Sequence, residues 1–245
     1  MKVIVTNSYD ETCAVIANMI KELVNAKPDA KLGLATGGTP VPIYKKLIEM
    51  NKAGEVDFSR VHTVNLDEYC GIPGTHDQSY RYFMDTNLFD HMNIDKKNTF
   101  VASGMGDFEA NARELEEKVR EGGAADLQLL GIGNNGHIAF NEASDHLIAV
   151  AHTEKLTEST INANARFFEK KEDVPTMAIT MGMGDILAAK KVVLAATGLA
   201  KVPAIKGLIM DDVITTQNPS TMLKMHEDAV VVIDRELADA VGYRA

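Results

Sequence analysis

Short β-branched apolar runs alternate with amphipathic stretches of about ten residues or more along most of this chain, and that rhythm sets its class of fold. KVIVT (2–6), KLGLA (31–35), VHTVNL (61–66), TFVAS (99–103), DLQLLGI (126–132), MAITM (177–181), KVVLAAT (191–197) and AVVVID (229–234) read as strands. Residues 8–26 carry apolar side chains at helical spacing, including Cys13, Ile16, Ile20 and Val24. Residues 40–53 and 107–121 read as further helices, the latter with charges of both signs on its outer face. Strands joined by long crossovers run parallel, because a hairpin loop is too short to hold a helix. Unbroken apolar runs such as KVVLAA need cover on both faces. The expected fold is therefore α/β: a single doubly wound, Rossmann-like domain over 1–245, with a mostly parallel sheet and helices on both faces. The stretch 142–175 breaks the rhythm, is rich in Thr, Asn, Ala and Glu, and is expected to be a mobile lid.

With 245 residues, 45% of them hydrophobic and 24% charged, the chain has enough apolar side chains for a sizeable core. A formal net charge of -10, with no basic stripe, argues against nucleic acid as a partner. Any anionic ligand must then be met by a local cluster of donors. The two cysteines, Cys13 and Cys70, are too few for a disulfide framework or a Cys-rich zinc site, and suit the reducing cytoplasm. The start, MKVIVTNSYDE, lacks the apolar core of a signal peptide, and no run approaches the roughly 18 apolar residues of a membrane span. His62, His76, His91, His146, His152 and His226 show no metal-binding spacing, so no metal is expected.

In doubly wound folds ligands sit beyond the carboxyl ends of the strands, so the loops there carry the functional information. Thr36, Gly37, Gly38 and Thr39 follow a strand and precede a helix that opens at Pro40. Glycines let backbone N–H groups approach a ligand, and a helix N-terminus favours an anion, so this loop reads as a phosphate cradle. The plainer alternative is a tight strand–helix connection. It is not a P-loop, since the Gly-Lys-Ser/Thr ending is absent. In the second loop, NLDEYCG, Asp67 and Glu68 stand side by side. Asp67 is either a general base or a cap for the next turn, and Glu68 either functional or solvated.

The third loop, GIGNNGHIAFNE, contains the G-x-G-x-x-G of a dinucleotide site at Gly131, Gly133 and Gly136. That reading fails because HIAFNEAS offers no helical start and the motif lies past the middle of the chain. His137 gives a better one. An imidazole titrates near neutrality, and Asn135 and Glu142 are close enough in sequence to orient it; the plainer alternative is a structural histidine bonded to a neighbouring carbonyl. Arg166 and Lys201 are the cations that could complete a phosphate site, Lys201 following a strand and a glycine.

These loops together resemble the glucosamine-6-phosphate deaminase family. LGLATGGTP, VNLDEYCGIP, SYRYFM, LLGIGNNGHIAFNE and ANARFF carry the resemblance, in order and over nearly the whole chain. It implies conversion of glucosamine 6-phosphate and water to fructose 6-phosphate and ammonia, with no metal or organic cofactor. It implies that Asp67 moves a proton between C2 and C1 of the opened sugar, and that His137 acts at the ring oxygen with Glu142 orienting it. It assigns the phosphate to Thr36, Gly37, Gly38, Thr39, Arg166 and Lys201. Many relatives have aspartate where this chain has Asn135, although the family includes asparagine versions. Allosteric members carry basic residues where this chain has Asp145, His152 and Glu154, so phosphate-effector activation is not expected. The partner implied is a small phosphorylated amino sugar. A galactosamine-6-phosphate deaminase, a 6-phosphogluconolactonase and a non-catalytic sugar-phosphate sensor remain alternatives, and a homo-oligomer is compatible with the sequence.

Overall fold

The computed structural model describes residues 1–244. In chain order the strands are β1 (Lys2–Thr6), β2 (Lys31–Leu34), β3 (His62–Asn65), β4 (Asp67–Tyr69), β5 (Thr99–Phe100), β6 (Leu127–Leu130), β7 (His152–Lys155), β8 (Met177–Thr180), β9 (Val192–Ala196) and β10 (Ala229–Asp234). The helices are α1 (Tyr9–Ala26), α2 (Pro40–Lys52), α3 (Tyr80–Asn87), α4 (Phe108–Arg120), α5 (Glu158–Asn164), α6 (Met183–Leu187), α7 (Val202–Ile209) and α8 (Arg235–Val241).

The apolar runs form a seven-stranded sheet in the order β1-β10-β9-β6-β2-β3-β5, and every pairing in it is parallel. Every residue of β9 and β10 is buried, which is what cover on both faces requires. Helix α1 forms as its periodicity dictates. Cys13, Ile16, Ile20 and Val24 turn into the core, and the Ser8 side chain caps the N-terminus by accepting from the Glu11 N–H. It packs on α2, and α7 packs on α8. Where β2 and β6 pair, Gly33 carries no side chain because the Gln128 amide fills its place: a Cβ there would lie 1.9 Å from Gln128 Oε1.

The chain runs outward from β2 through β3 to β5, then returns to β6 on the other side of β2. The crevice at that reversal is where ligands bind in open α/β sheets. The loops after β2, β3, β6 and β9 all open at this end.

Two expectations need correction. NLDEYCG is not simply a loop after β3, because Asp67–Tyr69 forms strand β4. The run MAITM does not join the parallel sheet either. It forms β8, the middle of a second, antiparallel sheet in the order β4-β8-β7. Strand β7 and helix α5 also lie within 142–175, so that stretch is more regular than its composition suggests. This second sheet lies directly after β3 and fixes the backbone of Asp67. Leu66 donates its N–H to Leu34 in the main sheet and accepts from Met181 just beyond β8. Among the described residues no helix is long and apolar enough to cross a membrane.

Candidate active site

A cavity of about 560 Å³ opens at the carboxyl ends of the parallel strands. Its size is that of a small-molecule site. The loop after β2 supplies one wall with Thr36, Gly37, Gly38 and Thr39. Gly37 has φ +99°, a left-handed conformation that favours glycine, and it turns the chain into α2. Pro40 opens α2. Pro40 and Pro42 have no N–H, so only Val41 and Ile43 among its first four residues offer the orphan donors of a helix start. The remaining donors are the loop N–H groups and the hydroxyls of Thr36 and Thr39. Thr39 makes no capping bond with its side chain.

Asp67 enters the cavity from the first residue of β4. It is 7% exposed. Burial, and after it the charge of Glu68, pushes its carboxyl up to about 8. Among the described residues no hydrogen-bond donor offsets this. A buried carboxyl left without donors is costly, and one that lines a cavity is a candidate for a functional role.

The loop after β6 brings Asn135 and His137 to the same cavity. Glu142 lies behind them, 6% exposed. The Asn135 amide bridges the two. Its Oδ1 accepts the His137 backbone N–H at 3.2 Å and its Nδ2 donates to Glu142 Oε2 at 2.9 Å. Asn135 thus holds the backbone and the carboxylate, not the imidazole itself. His137 Nδ1 stands 3.3 Å from Glu142 Oε2, at ion-pair distance but without hydrogen-bond alignment. Burial alone would raise the Glu142 carboxyl. His137, Thr160 and Asn135 outweigh it and hold the carboxyl down at about 2. Thr160 Oγ1 donates to Glu142 Oε1.

The glycines that mimicked a dinucleotide motif serve the histidine instead. A Cβ on Gly133 would lie 2.2 Å from the His137 ring, so the ring occupies space that only glycine leaves open. Gly136 has φ +87° and packs against the Asn218 amide. Ala139 is the one non-glycine residue with positive φ among the described residues, at 52°. Its strained turn is fixed by Asn141, which donates to Ile138 O at 3.0 Å and Met181 O at 2.9 Å.

Arg166 and Lys201 both face the cavity, from 3₁₀ turns at Ala165–Phe167 and Leu199–Lys201. Burial lowers the Lys201 ammonium, and the charge of Arg166 lowers it further. A bound dianion in the same cavity would favour the charged form of Lys201. Nine of the ten residues singled out from the sequence thus line one cavity, with Glu142 immediately behind. Among the described residues no three His, Cys, Asp or Glu side chains converge as a metal site.

Tyr80, Ser159, Thr160 and Asn164 also line the cavity and were not singled out from the sequence. Thr160 had a signal: Thr157 three residues before it is the N-cap of α5, so the pattern TEST marks a helix start whose hydroxyls face one way. Tyr80 had none. It reaches the site because its ring stacks on Phe140 at 6.2 Å and packs on Tyr69 at 4.8 Å.

Comparison with known proteins gives a consistent result. The family model described as glucosamine-6-phosphate isomerases/6-phosphogluconolactonase matches residues 6–232. The glucosamine-6-phosphate deaminase of Clostridium beijerinckii is 53% identical over 98% of this chain and 100% of its own. That of Clostridium perfringens is 50% identical over 97% of this chain and 98% of its own. A solved structure of a monomeric glucosamine-6-phosphate deaminase superposes with a TM-score of 0.95 at 38% identity, over 98% of this chain and 100% of that one. A 6-phosphogluconolactonase from Thermotoga maritima shares the fold, with a TM-score of 0.75 at 19% identity over 96% of this chain and 99% of that one.

Proposed function

The chain belongs to the family of glucosamine-6-phosphate isomerases and 6-phosphogluconolactonases, and from that premise we propose that it converts glucosamine 6-phosphate and water to fructose 6-phosphate and ammonia, with Asp67 as the base. Since one water is consumed as the C–N bond is cleaved, the reaction is formally a hydrolysis. Phosphorylated sugars are metabolites of the cell interior, and both cysteines are unpaired, so the enzyme is assigned to the cytoplasm.

The phosphate sits among Thr36, Gly37, Gly38, Thr39, Arg166 and Lys201, which anchors C6 and extends the sugar toward Asp67 and His137. His137 transfers a proton to the ring oxygen as the hemiacetal opens and takes one from the anomeric hydroxyl. An imidazole both donates and accepts near neutral pH. Glu142 stabilises the protonated ring, and Asn135 and Thr160 hold that carboxylate in place. In the open chain, Asp67 removes the proton at C2, exchanges it with solvent, and delivers a proton to C1. The enolamine becomes a ketimine, to which water adds before ammonia leaves. The electrons of the C–N bond depart with nitrogen, so no redox partner enters.

The observation that carries this reading is Asp67, a buried carboxyl with no hydrogen-bond donor among the described residues, lining the same cavity as His137. A lactonase has no use for a base between two carbons. The segment 142–175 carries Ser159, Thr160, Asn164 and Arg166 to the cavity, and under this reading it is a lid that closes over the bound sugar.

The test is purified protein offered glucosamine 6-phosphate, galactosamine 6-phosphate and 6-phosphogluconolactone in parallel. Equal release of ammonia and fructose 6-phosphate from the first supports the reading. Preference for the galactosamine epimer, or turnover of the lactone alone, would replace it. Binding of the phosphorylated sugar without turnover would leave a sensor.

A further inference from the structure

Asp67 has a second carboxylate next to it, and the proposed chemistry leaves that neighbour without a role. Glu68 is 1% exposed. Successive side chains of a strand point to opposite sides, so Asp67 faces the cavity while Glu68 turns toward α3. There it accepts three backbone N–H groups. Oε1 takes those of Tyr69 and Tyr80 at 2.8 Å, and Oε2 takes that of Arg81 at 3.0 Å. Tyr80 and Arg81 open α3, and the Ser79 hydroxyl accepts from Tyr82 at 3.0 Å to complete the cap.

These partners are dipoles, not cations. The Arg81 guanidinium is turned away, to Asp85 at 2.8 and 3.1 Å and to Thr99 at 2.9 Å. The other titratable neighbours are Asp67, Tyr69 and Cys70 along the strand and Tyr80 on α3, with Glu109 of α4 acting on Cys70; none of them is cationic. The three donors favour the charged carboxylate, but burial outweighs them and pushes it up to about 7, so its full charge is present above that pH. Its charge acts on the proposed base, the preceding residue of the same strand.

We propose that Glu68 is a positioning residue for the reaction: seated on the N-terminus of α3, its carboxylate sets its charge beside Asp67 while tying Tyr80 into the cavity wall. The inference rests on the reading of Asp67 as the base. A stronger carboxylate base is better matched to a carbon acid. The cationic amine of the substrate counters the added proton affinity as it binds, so the base is unmasked when the sugar arrives. The burial of Asp67 and the charge of Glu68 push the same way.

The experiment is the pH dependence of kcat/KM for the wild type, Glu68→Gln and Asp67→Asn, with 6-phospho-glucosamine as substrate throughout. Glu68→Gln keeps the shape and removes the charge. Its acid limb is expected to move down by about one pH unit, since the free enzyme's base sets that limb. A purely structural role would lower turnover or stability and leave the limb in place. If Asp67→Asn is inactive and the Glu68→Gln limb is unmoved, the inference about Glu68 fails alone. If Asp67→Asn retains turnover, the reading of Asp67 fails, and the inference with it. Should Glu68→Gln not fold, carboxyl ¹³C titration of the wild type decides. A second inflection in the Asp67 resonance, from ionisation of Glu68, supports the coupling, and a single inflection overturns it.

Discussion

Replacing Asp67 by asparagine should abolish catalysis and stabilise the protein, but only above mildly acid pH. Asp67 is 7% exposed, so solvent does little to screen it. Burial first, and the Glu68 charge second, raise its carboxyl from 3.8 to about 8. The sign follows from which state holds the proton more tightly. Below about pH 4 both folded and unfolded chains are protonated at this position, and the group costs nothing. As pH rises, the unfolded chain ionises first, and stability falls until the folded carboxyl ionises near pH 8. Each pH unit between those points is worth about 1.36 kcal/mol, which sets an upper limit of about 6 kcal/mol. Glu68 titrates in the same interval and shares the effect, so about 2–4 kcal/mol is expected for Asp67→Asn at pH 8.5. At this chain length that is a rise in Tm on the order of 10 °C. The assay is urea unfolding of both proteins at several pH values between 4.5 and 8.5. An unpaired asparagine amide adds its own cost, but that cost does not vary with pH. The slope is therefore the test. A stability difference that stays flat from pH 4.5 to 8.5 would refute the reasoning.

Other expectations follow from the same geometry. His137→Ala should lower turnover by about a hundredfold or more with the fold intact by circular dichroism, and unchanged turnover would remove His137 from the mechanism. Gly133→Ala places a methyl 2.2 Å from the His137 ring, so kcat should fall at least tenfold, roughly, as the ring is displaced; a variant with wild-type kcat would show that the ring position does not matter. Arg166→Ala should raise KM about tenfold and spare kcat, and a loss confined to kcat would contradict its assignment to the phosphate. Asp145, His152 and Glu154 offer no basic cluster to a phosphate effector, so the rate curve should be hyperbolic and indifferent to N-acetylglucosamine 6-phosphate; a sigmoidal curve straightened by that compound would contradict this.

The main sheet was legible because its strands are apolar on both faces. VVLAA and AVVVID cannot be placed anywhere but between two layers of helices. The second sheet was not legible. Strand β4 is Asp-Glu-Tyr and β7 is His-Thr-Glu-Lys, and neither shows an apolar alternation. Their pairing with β8 is a tertiary event with no local signature. The same gap hid the role of Glu68. Its partners, Tyr80 and Arg81, lie 12 and 13 residues on, and nothing in the spacing announces that α3 starts against it. His137, Asn135 and Glu142 were readable because a glycine-rich turn confines them to one loop. What that loop did not reveal is that Asn135 grips the carboxylate and the backbone, leaving the imidazole to Glu142 alone.

Turnover of glucosamine 6-phosphate in deuterium oxide tests the central claim most directly, because it follows the proton assigned to Asp67. Wild-type protein should yield fructose 6-phosphate carrying deuterium at C1, with ammonia in equal amount, and Asp67→Asn should yield neither product. Product formation by Asp67→Asn at a rate within about tenfold of wild type, or wild-type product without any label at C1 under conditions of full solvent exchange, would contradict it.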